Sequence, residues 1–206
     1  MSDIDALMQM APVIPVLVVD DVAHARPLAE ALVAGGLPVL EVTLRTPAAP
    51  DVIAEMARVP GAIVGAGTVL SGADLSTALA AGARFAVSPG ITAALGAAAR
   101  ARGVPFLPGV ANASDIIRAL EMGFSRLKFF PAEAAGGLPV LRALAAPFGG
   151  VRFCPTGGIT EHSAATWLAE PAVTCVGGSW IAKRGETDWA AIEARARAAA
   201  ALARPR

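Results

Sequence analysis

Lys128 stands in Arg126-Leu127-Lys128-Phe129-Phe130-Pro131, an apolar run of strand character. The two-residue period of a strand puts its side chain on the same face as Arg126 and Phe130. A lysine in a strand most often snorkels its ammonium to a rim. In a sheet covered on both faces that exit is closed, and a bare ammonium is costly there unless it is paired. An uncharged lysine amine in such a place is a nucleophile for carbonyl carbon, the requirement for a Schiff base. Glu41 and Arg45 share a second apolar run, Pro38-Val39-Leu40-Glu41-Val42-Thr43-Leu44-Arg45. Their separation of four puts both on one face, with Cα atoms about 13 Å apart if the strand is straight. That suits two groups at different depths of one pocket. The plainer reading makes Arg45 a rim charge and pairs Glu41 with a buried cation, Lys128 among the choices. A Glu, an Arg and a Lys converging on one mouth shift the balance towards a site.

Two glycine pairs follow later apolar runs, in Thr156-Gly157-Gly158 and Gly177-Gly178-Ser179. Glycines admit close approach of an anion to the backbone, and amides at a helix start complete a phosphate cradle. Ser179-Trp180-Ile181-Ala182 is a candidate for that short helix. Tight turns are the simpler explanation of either pair alone. Gly65-Ala66-Gly67-Thr68 resembles part of a dinucleotide fingerprint, but it lacks the third glycine and the acidic residue, so NAD binding is rejected. His24 and His162 read as helical residues without a catalytic role, and Trp167, Trp180 and Trp189 as packing residues.

These residues need elements to position them, and the chain supplies a regular alternation. Apolar runs at 13–19, 38–45, 62–69, 85–89, 105–110, 126–131, 151–156 and 173–177 alternate with segments of helical pattern. The helical segments are 23–34, 50–58, 73–81, 93–102, 114–122, 139–145, 161–169 and 188–203. Pro27 allows the first of them a later start. Uniformly apolar runs fit parallel strands covered on both faces. Eight strand–helix units predict an α/β fold, a closed (β/α)8 TIM barrel spanning residues 1–206 as one domain. An extra helix at 4–10 is expected to close the barrel bottom. In such a barrel chemistry belongs at the carboxyl ends of the strands, where Glu41, Arg45, Thr68, Lys128 and the glycine pairs fall.

Composition limits the partners. Of 206 residues 55% are hydrophobic, and seventeen basic residues balance seventeen acidic ones. Balanced charge argues against nucleic acid or an anionic membrane surface as the main partner. Mean hydropathy is +0.58, yet the longest uncharged runs, 59–73 and 85–99, are shorter than the ~20 residues of a spanning helix. The acidic start Met1-Ser2-Asp3-Ile4-Asp5 is unlike a secretory leader. Cys154 and Cys175 read as buried thiols. The expectation is a cytoplasmic protein without membrane attachment. Neither cysteine lies in ligand spacing with a histidine, so no zinc site is expected.

Taken together, Glu41-Val42-Thr43-Leu44-Arg45-Thr46, Gly65-Ala66-Gly67-Thr68, Ser88-Pro89-Gly90, Lys128-Phe129-Phe130-Pro131-Ala132-Glu133, Pro155-Thr156-Gly157-Gly158-Ile159 and Gly177-Gly178-Ser179-Trp180 resemble the bacterial 2-keto-3-deoxy-6-phosphogluconate (KDPG) aldolases, which include 4-hydroxy-2-oxoglutarate aldolases. The match runs from about residue 13 to 180. It implies a class I aldolase that needs no metal or other cofactor and typically forms a homotrimer. It implies Lys128 as the Schiff-base lysine and Glu41 as the general acid/base. Arg45 and Thr68 would hold the pyruvyl carboxylate. Gly157, Gly158, Gly178 and Ser179, with Thr156 beside them, would bind the phosphate. The implied substrate is a small phosphorylated keto acid, cleaved to pyruvate and glyceraldehyde 3-phosphate. Rival readings are the same chemistry on 4-hydroxy-2-oxoglutarate or the galactonate-derived epimer, a sugar-phosphate isomerase or epimerase using Glu41 alone, and a non-enzymatic sensor. The resemblance assigns no role to Glu133.

Overall fold

A computed structural model describes residues 4–202. Helix α1 (Ile4–Met10) precedes the first strand, and strands and helices then alternate. In chain order these are β1 (Val13–Leu17), α2 (Ala25–Ala34), β2 (Val39–Thr43), α3 (Ala49–Met56), β3 (Ile63–Gly67), α4 (Gly72–Ala80) and β4 (Ala86–Val87). There follow α5 (Ala93–Ala101), β5 (Phe106–Leu107), β6 (Gly109–Val110), α6 (Ala113–Glu121), β7 (Arg126–Phe129) and α7 (Gly137–Ala145). The chain ends with β8 (Arg152–Pro155), α8 (Glu161–Leu168), β9 (Val176–Gly178) and α9 (Trp189–Ala200).

Side-chain oxygens start several of these helices by accepting the amide three residues on: Ser71 for α4, Thr92 for α5, Asn112 for α6 and Asp188 for α9. Thr160 and Ser163 form a reciprocal capping box at α8. Helix α2 begins at Ala25, two residues later than its 23–34 pattern, after a 3-10 turn over Val22–His24, and Pro27 lies in its first turn, where its missing N–H costs nothing. The strands are buried along their length, as the apolar runs require.

All strand pairings are parallel, but they form two sheets rather than one. Six strands run in the order β5-β4-β3-β2-β1-β9, and three in the order β6-β7-β8. The expected closed eight-stranded (β/α)8 barrel is therefore corrected, for two physical reasons. Pro108 interrupts the run expected as one strand at 105–110. Leu107 before it pairs with β4, whereas Gly109 after it pairs with Lys128 of β7. At the other seam β9 pairs with β1, and β8 reaches it only through isolated bridges, Phe153↔Val173 and Thr156↔Gly177.

The two sheets nevertheless share a core. Ile14, Val39, Phe85, Val87 and Leu107 from the six-stranded side meet Cys154 of β8, Cys175 and Met8 of α1 in one buried cluster. Arg126 of β7 also pairs with Asp5 of α1. Helix α1 thus forms where the sequence places it and covers one end of this cluster. The opposite faces of the strands pack against α2–α9.

Candidate active site

Lys128 and Glu41 come from different sheets and meet in the interior. Glu41 extends from the centre of β2 and Lys128 from β7; the two residues are 3% and 4% exposed. Lys128 Nζ donates to Glu41 Oε1 at 3.0 Å and lies 3.4 Å from Oε2. The amine also stands 5.5 Å from the centre of the Phe130 ring, within cation–π range. Room for the carboxylate is made by Gly67, at the end of β3. A Cβ there would stand 2.2 Å from Glu41 Oε1. Gly65 does the same for Phe85, whose ring would lie 2.5 Å from a Cβ. The glycine spacing that resembled a dinucleotide fingerprint is thus explained by two side chains entering from neighbouring strands.

Arg45 lies beyond its expected strand, because β2 stops at Thr43 and the chain turns. The turn is fixed by Thr43 Oγ1 donating to the Leu17 carbonyl at 2.9 Å and Thr46 Oγ1 to that of Val19 at 2.7 Å. Arg45 is exposed, and its Nε donates to Thr68 Oγ1 at 3.2 Å. Thr68 has φ 59°, the one left-handed non-glycine residue among those described. A β-branched residue there is strained, and such strain is retained where the surrounding structure holds a side chain in a required position.

The bridge Thr156↔Gly177 sets the two glycine pairs side by side. Gly157 and Gly158 turn in the left-handed region at φ 103° and 82°. Among the described residues, the amides of Gly158 and Ser179 donate to no backbone carbonyl, whereas the bridge turns the Gly157 amide towards Gly177. Thr156 is buried, and its Oγ1 occupies the space that a Cβ on Gly177 would need. At Gly178 the Trp180 indole and Val13 occupy the space that a Cβ would need. Residues 179–182 form bends rather than the expected short helix, and Ser179 is exposed.

The family model described as KDPG and KHG aldolase matches residues 4–195. The chain belongs to this aldolase family. It is 57% identical over 204 residues to a 2-dehydro-3-deoxy-phosphogluconate aldolase of Zymomonas mobilis, covering 99% of this chain and 98% of that protein. A crystal structure of the Z. mobilis ZM4 aldolase with 3-phosphoglycerate superposes with TM-score 0.97 at 57% identity, over 99% and 98% of the two chains. The KDPG aldolase of Legionella pneumophila, solved with pyruvate captured as a covalent carbinolamine, gives TM-score 0.93 at 44% identity, over 97% and 98%.

In this aldolase the structure brings Lys128 to Glu41, Arg45 to Thr68, and Gly157 and Gly158 to the strand that ends before Ser179. Two contributors, Gly67 and Glu133, escaped the sequence reading. Gly67 was legible as a glycine but not as the space for Glu41, since that depends on how the Glu41 side chain leans across β3. Phe130 shares the Lys128 face, and the two-residue period already implied that contact. Glu133 accepts the Trp167 indole N–H on Oε1 at 2.8 Å. Trp167 is a packing residue, as expected, at 1% exposure, and this hydrogen bond adds a second task.

Proposed function

We propose that the Lys128–Glu41 pair is the catalytic centre for class I cleavage of KDPG to pyruvate and glyceraldehyde 3-phosphate. The observation that carries this reading is a buried ion pair held at hydrogen-bond distance. Burying two charges costs several kcal/mol per ion before their attraction offsets it. A proton can pass within the pair, giving a neutral amine beside a carboxylic acid without any ion leaving the interior. The amine then adds to the C2 ketone, and Glu41 exchanges the protons that turn the carbinolamine into an iminium with loss of water. As a carboxylate again, Glu41 accepts the C4 hydroxyl proton. The C3–C4 bond breaks, its electron pair enters the iminium to form an enamine, and glyceraldehyde 3-phosphate departs. Protonation at C3 and addition of water release pyruvate and restore Lys128.

The remaining residues are assigned to holding the two ends of the substrate. Arg45, kept in place by Thr68, presents a planar fork suited to the carboxylate. The diglycine turn of Gly157 and Gly158 and the open amides of Gly158 and Ser179 suit a phosphate, with the Thr156 hydroxyl beside them and Gly178 contributing backbone alone. The Z. mobilis relative's 3-phosphoglycerate supports a phosphate-ester site. Because only the distal end distinguishes the substrates, 4-hydroxy-2-oxoglutarate is a second substrate of the same centre, in keeping with a family described by both. A cytoplasmic homotrimer completes the proposal. The buried cysteines Cys154 and Cys175 and exposed Leu70, Ile117 and Leu120 support it.

Incubation with pyruvate and borohydride is the test. Wild-type protein should gain a stable adduct on the peptide containing Lys128, and Lys128→Ala should gain none. An adduct that forms equally in Lys128→Ala removes the assignment.

A further inference from the structure

Glu133 follows the lysine strand, and its contacts are out of proportion to an exposed residue. Its amide donates to the Gly157 carbonyl at 3.0 Å, and that of Ala132 to Thr156 at 2.8 Å. Its Cβ and Cγ lie against Gly158, where an added Cβ would come within 2.7 Å of both. Oε1 accepts the Trp167 indole N–H, and Oε2 faces Gly137 in the first turn of α7. The buried indole has only this N–H to donate. The carboxylate is thereby drawn towards α7 and α8, while its stem presses on the diglycine turn.

We propose that Glu133, anchored by Trp167, is a positioning residue that fixes the Gly157–Gly158 turn relative to Lys128 and so sets the affinity for phosphorylated substrate. This rests on the phosphate assignment made above. The Lys128 strand and the turn are joined through residues 130–133, so the same anchor keeps the distance between the reacting amine and the phosphate amides. Pyruvate alone spans only the Lys128 end and does not sense that distance.

Three variants and two readouts test the idea. Glu133→Ala and Trp167→Phe should each raise the KM for KDPG by up to about tenfold, the upper end of what loss of one hydrogen bond brings. Exchange of the pyruvate methyl protons in heavy water, followed by NMR, should stay at the wild-type rate in both. Glu133→Gln keeps an oxygen for the indole and should stay within about twofold of wild type in both assays. Equal losses in KDPG cleavage and pyruvate exchange would mean general damage and would overturn the proposal. So would a Glu133→Gln variant as impaired as Glu133→Ala, which would trace the effect to charge. Competition by inorganic phosphate against KDPG in the wild type tests the underlying assignment separately. Competition there with no effect of Glu133→Ala rejects the positioning role alone; its absence rejects the phosphate site and this role with it.

Discussion

At the scale of single residues, the site is a set of spaces as much as a set of groups. Glu41→Gln keeps the size of the side chain but cannot take up a proton at neutral pH. Turnover of KDPG should fall by roughly 10²–10⁴ while the Lys128 strand stays folded. Steady-state kinetics at wild-type rates would end the acid/base assignment. Gly67→Ala probes the same carboxylate from outside. A methyl group 2.2 Å from Oε1 must push Glu41 off Lys128, and misplacement by about 1 Å can cost roughly 10²-fold. The variant should lose kcat with little loss of secondary structure by circular dichroism; full activity would show that the carboxylate has slack. Much of this scale was legible in the chain. A lysine in a covered strand, a glutamate in another and a Thr-Gly-Gly turn mark themselves by residue type. What was not legible is contact through space: the Trp180 ring over Gly178, or the Glu133 stem over Gly158, depends on rotamers that no spacing records.

At the scale of elements, the alternation of strand and helix was readable because each element carries its own periodicity and caps. The closure of the sheet was not, since it depends on register at two seams. One of these seams, at β9, leads into the loop that carries Ser179 and Trp180. This loop is latched by two ion pairs. Arg184 donates to both oxygens of Asp20, at 2.7 and 2.6 Å, and Arg195 to Glu186 at 2.6 Å and to the Ile181 carbonyl at 2.8 Å. The Arg184 hydrogen bond holds the Asp20 carboxyl below its ordinary value. Burial works against the Glu186 charge, but the Arg195 hydrogen bond, the Lys183 amide and the neighbouring positive charges together outweigh it and hold Glu186 low as well. Both carboxylates are more acidic folded than unfolded. Their contribution is therefore present above the ordinary carboxylate range, about pH 4, and is lost as pH falls through the lower folded values. Amide hydrogen exchange in residues 179–188 should accelerate below about pH 4 beyond its intrinsic pH dependence. Asp20→Asn should show part of that loosening already at pH 7. Exchange that follows the intrinsic rate in both proteins would mean that the latch does not order the loop.

At the scale of the whole molecule, the Lys128–Glu41 pair is a contact between sheets, so its geometry depends on what keeps the six-stranded and three-stranded sheets together. Hydrogen bonding alone does this weakly at the β8–β9 seam, where isolated bridges replace a full ladder. The shared cluster of Ile14, Val39, Phe85, Val87, Leu107, Cys154, Cys175 and Met8 supplies the rest, with α1 inserting Met8 and tying Asp5 to Arg126. Arg126 and Lys128 occupy one face of β7, one anchoring the strand to α1 and the other meeting Glu41. Stability and the proposed chemistry are therefore placed at neighbouring positions on one face of one strand. Met8→Ala should open a cavity in the shared cluster and lower unfolding stability by about 2–5 kcal/mol, read from urea denaturation. At 25 °C, well below the transition, the same variant should still form the pyruvate adduct, because the Lys128–Glu41 contact is made by other side chains. If stability is unchanged, α1 plays no part in holding the sheets. If stability falls and trapping disappears from protein that is still folded, the two ends of the strand are coupled, and the separation of anchoring from chemistry along β7 does not hold.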